Sequence, residues 1–179
     1  MLLTGGGDYA PDTIVYVGGN MVSKSMRTFL QGCRPANSFV VTADGRLTDV
    51  LMTATDIVEA TPSQALDVMA AAVARKQTAD TAWTERWLGI FAQSAVANYE
   101  PEYSQVAAVR ELVKAIDGAD CCVHLPNSMS VRAGLLYAVR YVYVNRGVNG
   151  IEGSLSTAAG FSLMSAVPVY CVIGDLSFF

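Results

Sequence analysis

Short apolar, β-branched runs alternate with segments of helical periodicity along this chain, and that alternation constrains the fold more than any other feature. Strands are predicted at 13–18, 38–42, 56–60, 121–125, 141–144 and 168–173. Helices are predicted at about 22–31, from Pro62 to about Arg75, and at about 79–97, 104–117, 128–138 and 154–165. The first helix carries Val22, Met26, Phe29 and Leu30 on one stripe. The second opens on Thr61-Pro62-Ser63-Gln64, a capping box with proline at the first helical position. The third carries Trp83, Trp87, Ile90, Phe91 and Ser94 at helical spacing, which reads as a packing stripe. Such alternation implies βαβ units and an α/β fold. The strands are almost wholly apolar, as expected of parallel sheets with helices on both faces. Ligands in such sheets sit beyond the carboxyl ends of the strands. That rule selects the loops after Gly18, Leu125, Val144 and Ile173.

The chain's 179 residues suffice for one large domain or two small ones. The stretch Asn98-Tyr-Glu-Pro-Glu-Tyr103 interrupts the pattern and is the linker candidate, giving an expected division into 1–100 and 101–179. Apolar residues make up 52% and charged residues 16%, a balance expected of a piece of a larger assembly. Net charge is −4 and there is no basic run, which argues against a nucleic-acid partner. No run approaches the roughly 18 apolar residues of a spanning helix. The N-terminus lacks a charged segment followed by an apolar one, so no secretory leader and a cytoplasmic location are expected. Cys33, Cys121, Cys122 and Cys171 show no metal-site spacing and read as small buried hydrophobes in a reducing compartment. His124 is the sole histidine, which excludes a His-based triad or a multi-His metal site within the chain. A structural role at a strand end is expected of it.

Four loops carry candidate chemistry. After Leu125, Asn127 is a good N-cap, and Ser128 and Arg132 share one helix face. An arginine near a helix N-terminus makes an anion site, although an ordinary capped helix with a solvated arginine has the same pattern. After Val144, Arg146 precedes Gly147, Gly150 and Gly153, glycines that allow close approach of backbone to a ligand. Neither the GxGxxG fingerprint nor the P-loop is present, and a structural turn would read alike. Ile151 is an apolar residue within this polar loop. After Ile173, Gly174-Asp175-Leu176-Ser177 places a carboxylate at the sheet edge, either as a turn or as a ligand for a hard divalent ion bound to phosphates. The strand before it should open into a loop and helix, yet only four residues follow Asp175. After Gly18, Lys24 puts a cation in a first helical turn, against the helix dipole.

Taken in order, Asn127-Ser-Met-Ser-Val-Arg132, Asn145-Arg-Gly-Val-Asn-Gly-Ile-Glu-Gly153, Ser156-Thr-Ala-Ala-Gly160 and Gly174-Asp-Leu-Ser177 resemble one family. It is the thiamin-diphosphate-dependent 2-succinyl-5-enolpyruvyl-6-hydroxy-3-cyclohexene-1-carboxylate synthases of menaquinone biosynthesis. Pro11-Asp-Thr-Ile-Val-Tyr-Val-Gly-Gly19 with Val22-Ser-Lys24 is similar to that family's central domain. The resemblance is vague at about 43–100. It implies the α/β fold of thiamin-diphosphate enzymes, with a central domain over 1–100 and the opening of the diphosphate-binding domain over 101–179.

The implied activity of the full-length protein is decarboxylation of 2-oxoglutarate and addition of the succinyl-semialdehyde carbanion to isochorismate. Thiamin diphosphate and Mg²⁺ or Mn²⁺ are the implied cofactors. By resemblance, Asp175 would ligate the metal. Gly174, Leu176 and Ser177 would flank the diphosphate, and Ile151 would be the wedge that bends the cofactor. Lys24, Arg132 and Arg146 would bind substrate carboxylates, and Ser128 would lie beside cofactor and substrate. Guanidinium groups suit such dicarboxylic partners because they pair with carboxylates bidentately.

Two positions depart from the family pattern. Ser25 stands where a second cation is frequent, and Glu152 where Asp is usual. No complete catalytic set is expected within these residues. The asparagine half of the metal motif and the activating glutamate are not among them. The chain alone is therefore expected to be inactive and to bind thiamin diphosphate weakly or not at all, which titration calorimetry would test. The full-length protein is expected to be a homodimer or homotetramer. Another thiamin-diphosphate 2-oxo acid decarboxylase or synthase, or a non-enzymatic nucleotide-binding α/β module, stands as the alternative.

Overall fold

The computed structural model describes residues 7–75, 81–96, 102–137, 141–147 and 150–178. The chain divides into two compact units, Met1–Asn98 and Tyr99–Phe179. Most of the linker candidate lies outside the described residues.

The first unit holds a parallel three-stranded sheet in the order β1-β2-β3, formed by β1 (Thr13–Val17), β2 (Asn37–Thr42) and β3 (Asp56–Glu59). Helices α1 (Lys24–Cys33), α2 (Pro62–Arg75) and α3 (Thr81–Val96) complete it. The side chain of Ser23 accepts a hydrogen bond from the Met26 amide and starts α1 there, two residues later than the apolar stripe predicts. The capping box before α2 is formed in both directions: the Thr61 amide donates to Gln64 Oε1 at 3.0 Å, and the Gln64 amide donates to Thr61 Oγ1 at 3.3 Å. Ile14, Phe29, Val40, Val41, Leu51 and Ala65 are buried and form the core. Trp87 lies edge-on to Tyr9 and Phe29 and neighbours Trp83 and Phe91, so the aromatic stripe of α3 serves packing inside this unit.

The second unit is built on β4 (Cys122–His124) and β5 (Val169–Cys171), which pair in parallel. Tyr143 bridges the other edge of β4 in parallel, its amide donating to the Val123 carbonyl and its carbonyl accepting from the Leu125 amide. The predicted strand at 141–144 is thus a single bridge. Its register is nonetheless parallel, and β4 lies in the middle of three extended segments. Helix α4 (Gln105–Ala115) packs on α5 (Met129–Tyr137), and α6 (Ser154–Met164) packs against β5. Both units therefore have the α/β architecture of parallel strands flanked by helices.

Three further features differ from expectation. Asp175–Phe178 forms a short helix, α7, so the strand end does open into a helical turn. The amides of Ser177 and Phe178 both donate to the Gly174 carbonyl, which closes that turn. Asn127 is not the cap of α5. The helix starts at Met129, and the Asn127 carboxamide bonds elsewhere, as described below. The four cysteines are free thiols of intermediate exposure, so they border the cores without being enclosed.

Candidate functional site

Because β4 and β5 run parallel, their carboxyl ends open on the same side, and a cavity of about 490 Å³ lies there. Its wall includes Asn127–Ser130 after β4, Ile151 from the glycine loop, and Val172–Ser177 after β5. Helix α4 supplies Gln105, Ala108 and Val109. The volume is in the range of small-molecule sites, and the wall is mixed: Val109, Ile151, Val172 and Ile173 are apolar, while Ser128, Asp175 and Ser177 are polar. Six of the residues singled out from sequence, Ser128, Ile151, Gly174, Asp175, Leu176 and Ser177, meet around this one space.

Each wall segment is held by local chemistry. Leu125 and Pro126 are buried, which fixes the exit of β4. Ser128 follows with φ of +80°, a conformation unfavourable for a residue bearing Cβ, at a cost of about 1–3 kcal/mol. The glycine loop is tied to α6: Asn145 Nδ2 donates to Thr157 Oγ1 at 3.0 Å, and that hydroxyl donates to the Gly153 carbonyl at 2.8 Å. Gly153 sits at the N-terminus of α6 with φ of +72°, where only glycine is free of strain. At the β5 exit, Asp175 is exposed and its Oδ1 accepts from the Leu176 amide at 2.8 Å.

The cations distribute unequally. Arg146 Nη1 donates to Asn127 Oδ1 at 2.9 Å, which attaches it to a residue of the cavity wall. Its Nε is buried and, among the described residues, has no hydrogen-bond partner. A buried donor left unmatched costs about 1–3 kcal/mol, and an anionic ligand is one way to recover it. Arg132 is exposed on α5, and neither it nor Arg146 is itself part of the cavity wall. Lys24, also exposed, opens α1 in the other unit. Val148 and Asn149 of the glycine loop lie outside the described residues.

Asn127 is the residue that sequence reasoning placed in the wrong role. Its side chain is 5% exposed, and Nδ2 donates to the Gly150 carbonyl at 3.0 Å. The available signal was a carboxamide placed just after the end of a buried strand. His124, at the end of β4, is likewise buried. It stacks on Tyr143 with centroids 5.0 Å apart and meets Phe161 edge-on at 5.0 Å. Burial lowers its pKa below the ordinary value, so it is an uncharged core ring.

The residues present suit a diphosphate-bearing cofactor. The observations are the mixed cavity at the strand ends, an apolar residue from the glycine loop in its wall, a carboxylate at its edge, and an arginine with an unmatched buried donor. Among the described residues no group of three or more His, Cys, Asp or Glu side chains is placed to hold a metal ion. Asp175 would therefore share a divalent ion with ligand oxygens, as Mg²⁺ typically requires.

A parallel α/β unit with such a cavity at its strand ends belongs to the class that places its ligands at the carboxyl edge of the sheet. Comparison with known proteins narrows the class. The chain is 34% identical to the 2-succinyl-5-enolpyruvyl-6-hydroxy-3-cyclohexene-1-carboxylate synthase of Phocaeicola vulgatus, over 96% of its own length and 30% of that protein's. The synthases of the same name from Lysinibacillus sphaericus and Halobacterium salinarum are each 31% identical, covering 94% of this chain and 30% of theirs. No family model matches. The chain is a homologue of these synthases and spans about 30% of the length of the relatives it matches.

Proposed function

We propose that the chain is part of an enzyme that decarboxylates 2-oxoglutarate and adds the resulting four-carbon unit to isochorismate, dependent on thiamin diphosphate and Mg²⁺ or Mn²⁺. The observation that carries this reading is the convergence of Ser128, Ile151 and Gly174–Ser177 on one cavity at the strand ends. The names of the relatives support it. Under this reading, 101–179 opens the diphosphate-binding domain and 1–100 belongs to the central domain. The full-length protein is cytoplasmic and works as a homodimer or homotetramer. Four free thiols suit a reducing compartment, and no helix among the described residues is long and apolar enough to cross a membrane.

The bound cofactor supplies the electron sink for decarboxylation and carbon–carbon bond formation. The chain's own residues bind and orient. Asp175 would hold the divalent ion, with Gly174, Leu176 and Ser177 beside the diphosphate. Ile151, in the cavity wall, would meet the cofactor from the glycine loop. Ser128 stands next to cofactor and substrate. Arg146, Arg132 and Lys24 are the residues assigned to substrate carboxylates.

Titration calorimetry of the full-length protein tests the cofactor assignment. Thiamin diphosphate should bind tightly only with Mg²⁺ or Mn²⁺ present. Asp175→Asn should weaken that binding by at least tenfold. Asparagine retains an oxygen for the Leu176 amide, so the loss would report the charge and not the fold. Metal-independent binding, or an unaffected variant, would refute the assignment.

A further inference from the structure

Asn127 is almost fully enclosed, and both ends of its carboxamide are engaged by segments far along the chain. Oδ1 accepts from Arg146 Nη1 at 2.9 Å, and Nδ2 donates to the Gly150 carbonyl at 3.0 Å. That carbonyl belongs to the peptide leading into Ile151. The other polar end of the same peptide is also held, since the Ile151 amide donates to Glu152 Oε2 at 3.1 Å. The Ile151 carbonyl in turn accepts from Ser154 Oγ at 3.4 Å, at the first residue of α6. Ile151, the one apolar residue of the glycine loop in the cavity wall among the described residues, thus has its flanking peptides bonded to Asn127, Glu152 and Ser154. Asn127 itself has little freedom, because buried Leu125 and Pro126 precede it and α5 begins two residues later.

We propose that Asn127 is a positioning residue of this site: its carboxamide sets the Arg146 guanidinium for an anionic group and fixes the Gly150–Ile151 peptide against the cavity. A carboxamide suits the task because it accepts and donates at once. An aspartate could hold the arginine but would face the Gly150 carbonyl without a donor. A neutral partner also leaves the guanidinium its full charge for a ligand carboxylate, whereas a carboxylate would consume it. The inference rests on the functional reading above, in which Arg146 receives a substrate carboxylate and Ile151 contacts the cofactor.

The test is a double-mutant cycle in the full-length enzyme loaded with thiamin diphosphate and Mg²⁺, read beside crystal structures of the variants. Asn127→Ala should raise the KM of the same acid that Arg146→Ala affects, by about tenfold or more. The two changes together should be no worse than Arg146→Ala alone for that KM. Crystals of N127A should show the guanidinium displaced and the Gly150–Ile151 peptide turned. If N127A does not fold, N127D serves: the guanidinium should stay while the peptide is released. Additive effects on KM, or an unmoved guanidinium and peptide in the variant crystals, would overturn the proposal. Wild-type protein that fails to turn over 2-oxoglutarate with isochorismate would instead overturn the functional reading, and the crystals would still decide whether Asn127 positions Arg146 and Ile151.

Discussion

Gly134→Ala should destabilise the protein even though it places a better helix former in the middle of α5. A Cβ added at Gly134 would lie 2.3 Å from Leu125 Cδ1. Carbon atoms pack at about 3.5–4.0 Å, so Leu125 must yield by more than an ångström. It is 2% exposed and anchors the exit of β4, directly before Pro126 and Asn127. Overpacking of this kind costs about 1–3 kcal/mol, against a helix-propensity gain of about 0.5–1 kcal/mol. Gly160 in α6 provides the control, because a Cβ there meets nothing within 4 Å. Gly160→Ala should therefore stabilise by the propensity gain alone. The gap between the two variants is then the packing cost, about 1–3 kcal/mol. Urea unfolding of both variants measures it, and hydrogen exchange of the α5 amides localises it. Adding Leu125→Ala to Gly134→Ala should remove most of the clash, leaving the cavity cost of Leu125→Ala itself. Equal stabilisation by Gly134→Ala and Gly160→Ala would refute the reasoning and mean that Leu125 relaxes freely.

Two further outcomes are expected. Burial holds the His124 pKa below its unfolded value of about 6.5. As pH falls through that value the unfolded chain takes up the proton first, so stability present above about 6.5 is lost on acidification towards the lower folded pKa. The urea midpoint should drop between pH 7.5 and 5.5, and His124→Phe should flatten that drop. Under the proposed function, Ile151→Ala should reduce kcat of the full-length enzyme more than it weakens cofactor binding, because the side chain would act on the shape of the bound cofactor. Steady-state kinetics beside calorimetry would show the opposite order if Ile151 only supplies contact area.

Much of this was legible in the sequence because the signals were local. Apolar runs located β1, β2, β4 and β5, and Thr61 with Gln64 announced the start of α2 through bonds only three residues apart. The loops that line the cavity were found by the strand-end rule, which needs only strand order and direction, whereas Gln105, Ala108 and Val109 of α4 were not. What was missed depended on partners distant in the chain. Around Tyr143 the periodicity of a strand was present, but pairing reduced it to one bridge. Asn127 carried a cap signature, yet Gly150 and Arg146, about twenty residues away, outcompete the helix for its carboxamide. The turn at Asp175–Phe178 rests on the Gly174 carbonyl, and an expectation that the strand leads nowhere could not include it. Arg132 and Arg146 looked equivalent as cations near a helix start or glycine loop. A buried Nε and a bond to Asn127 set Arg146 apart.

The central claim is tested most directly by turnover of the full-length protein with 2-oxoglutarate and isochorismate. The account predicts carbon dioxide release and isochorismate consumption in equal amounts, dependent on thiamin diphosphate and Mg²⁺ or Mn²⁺. Turnover of pyruvate in place of 2-oxoglutarate, or carbon dioxide release without consumption of isochorismate, would contradict it.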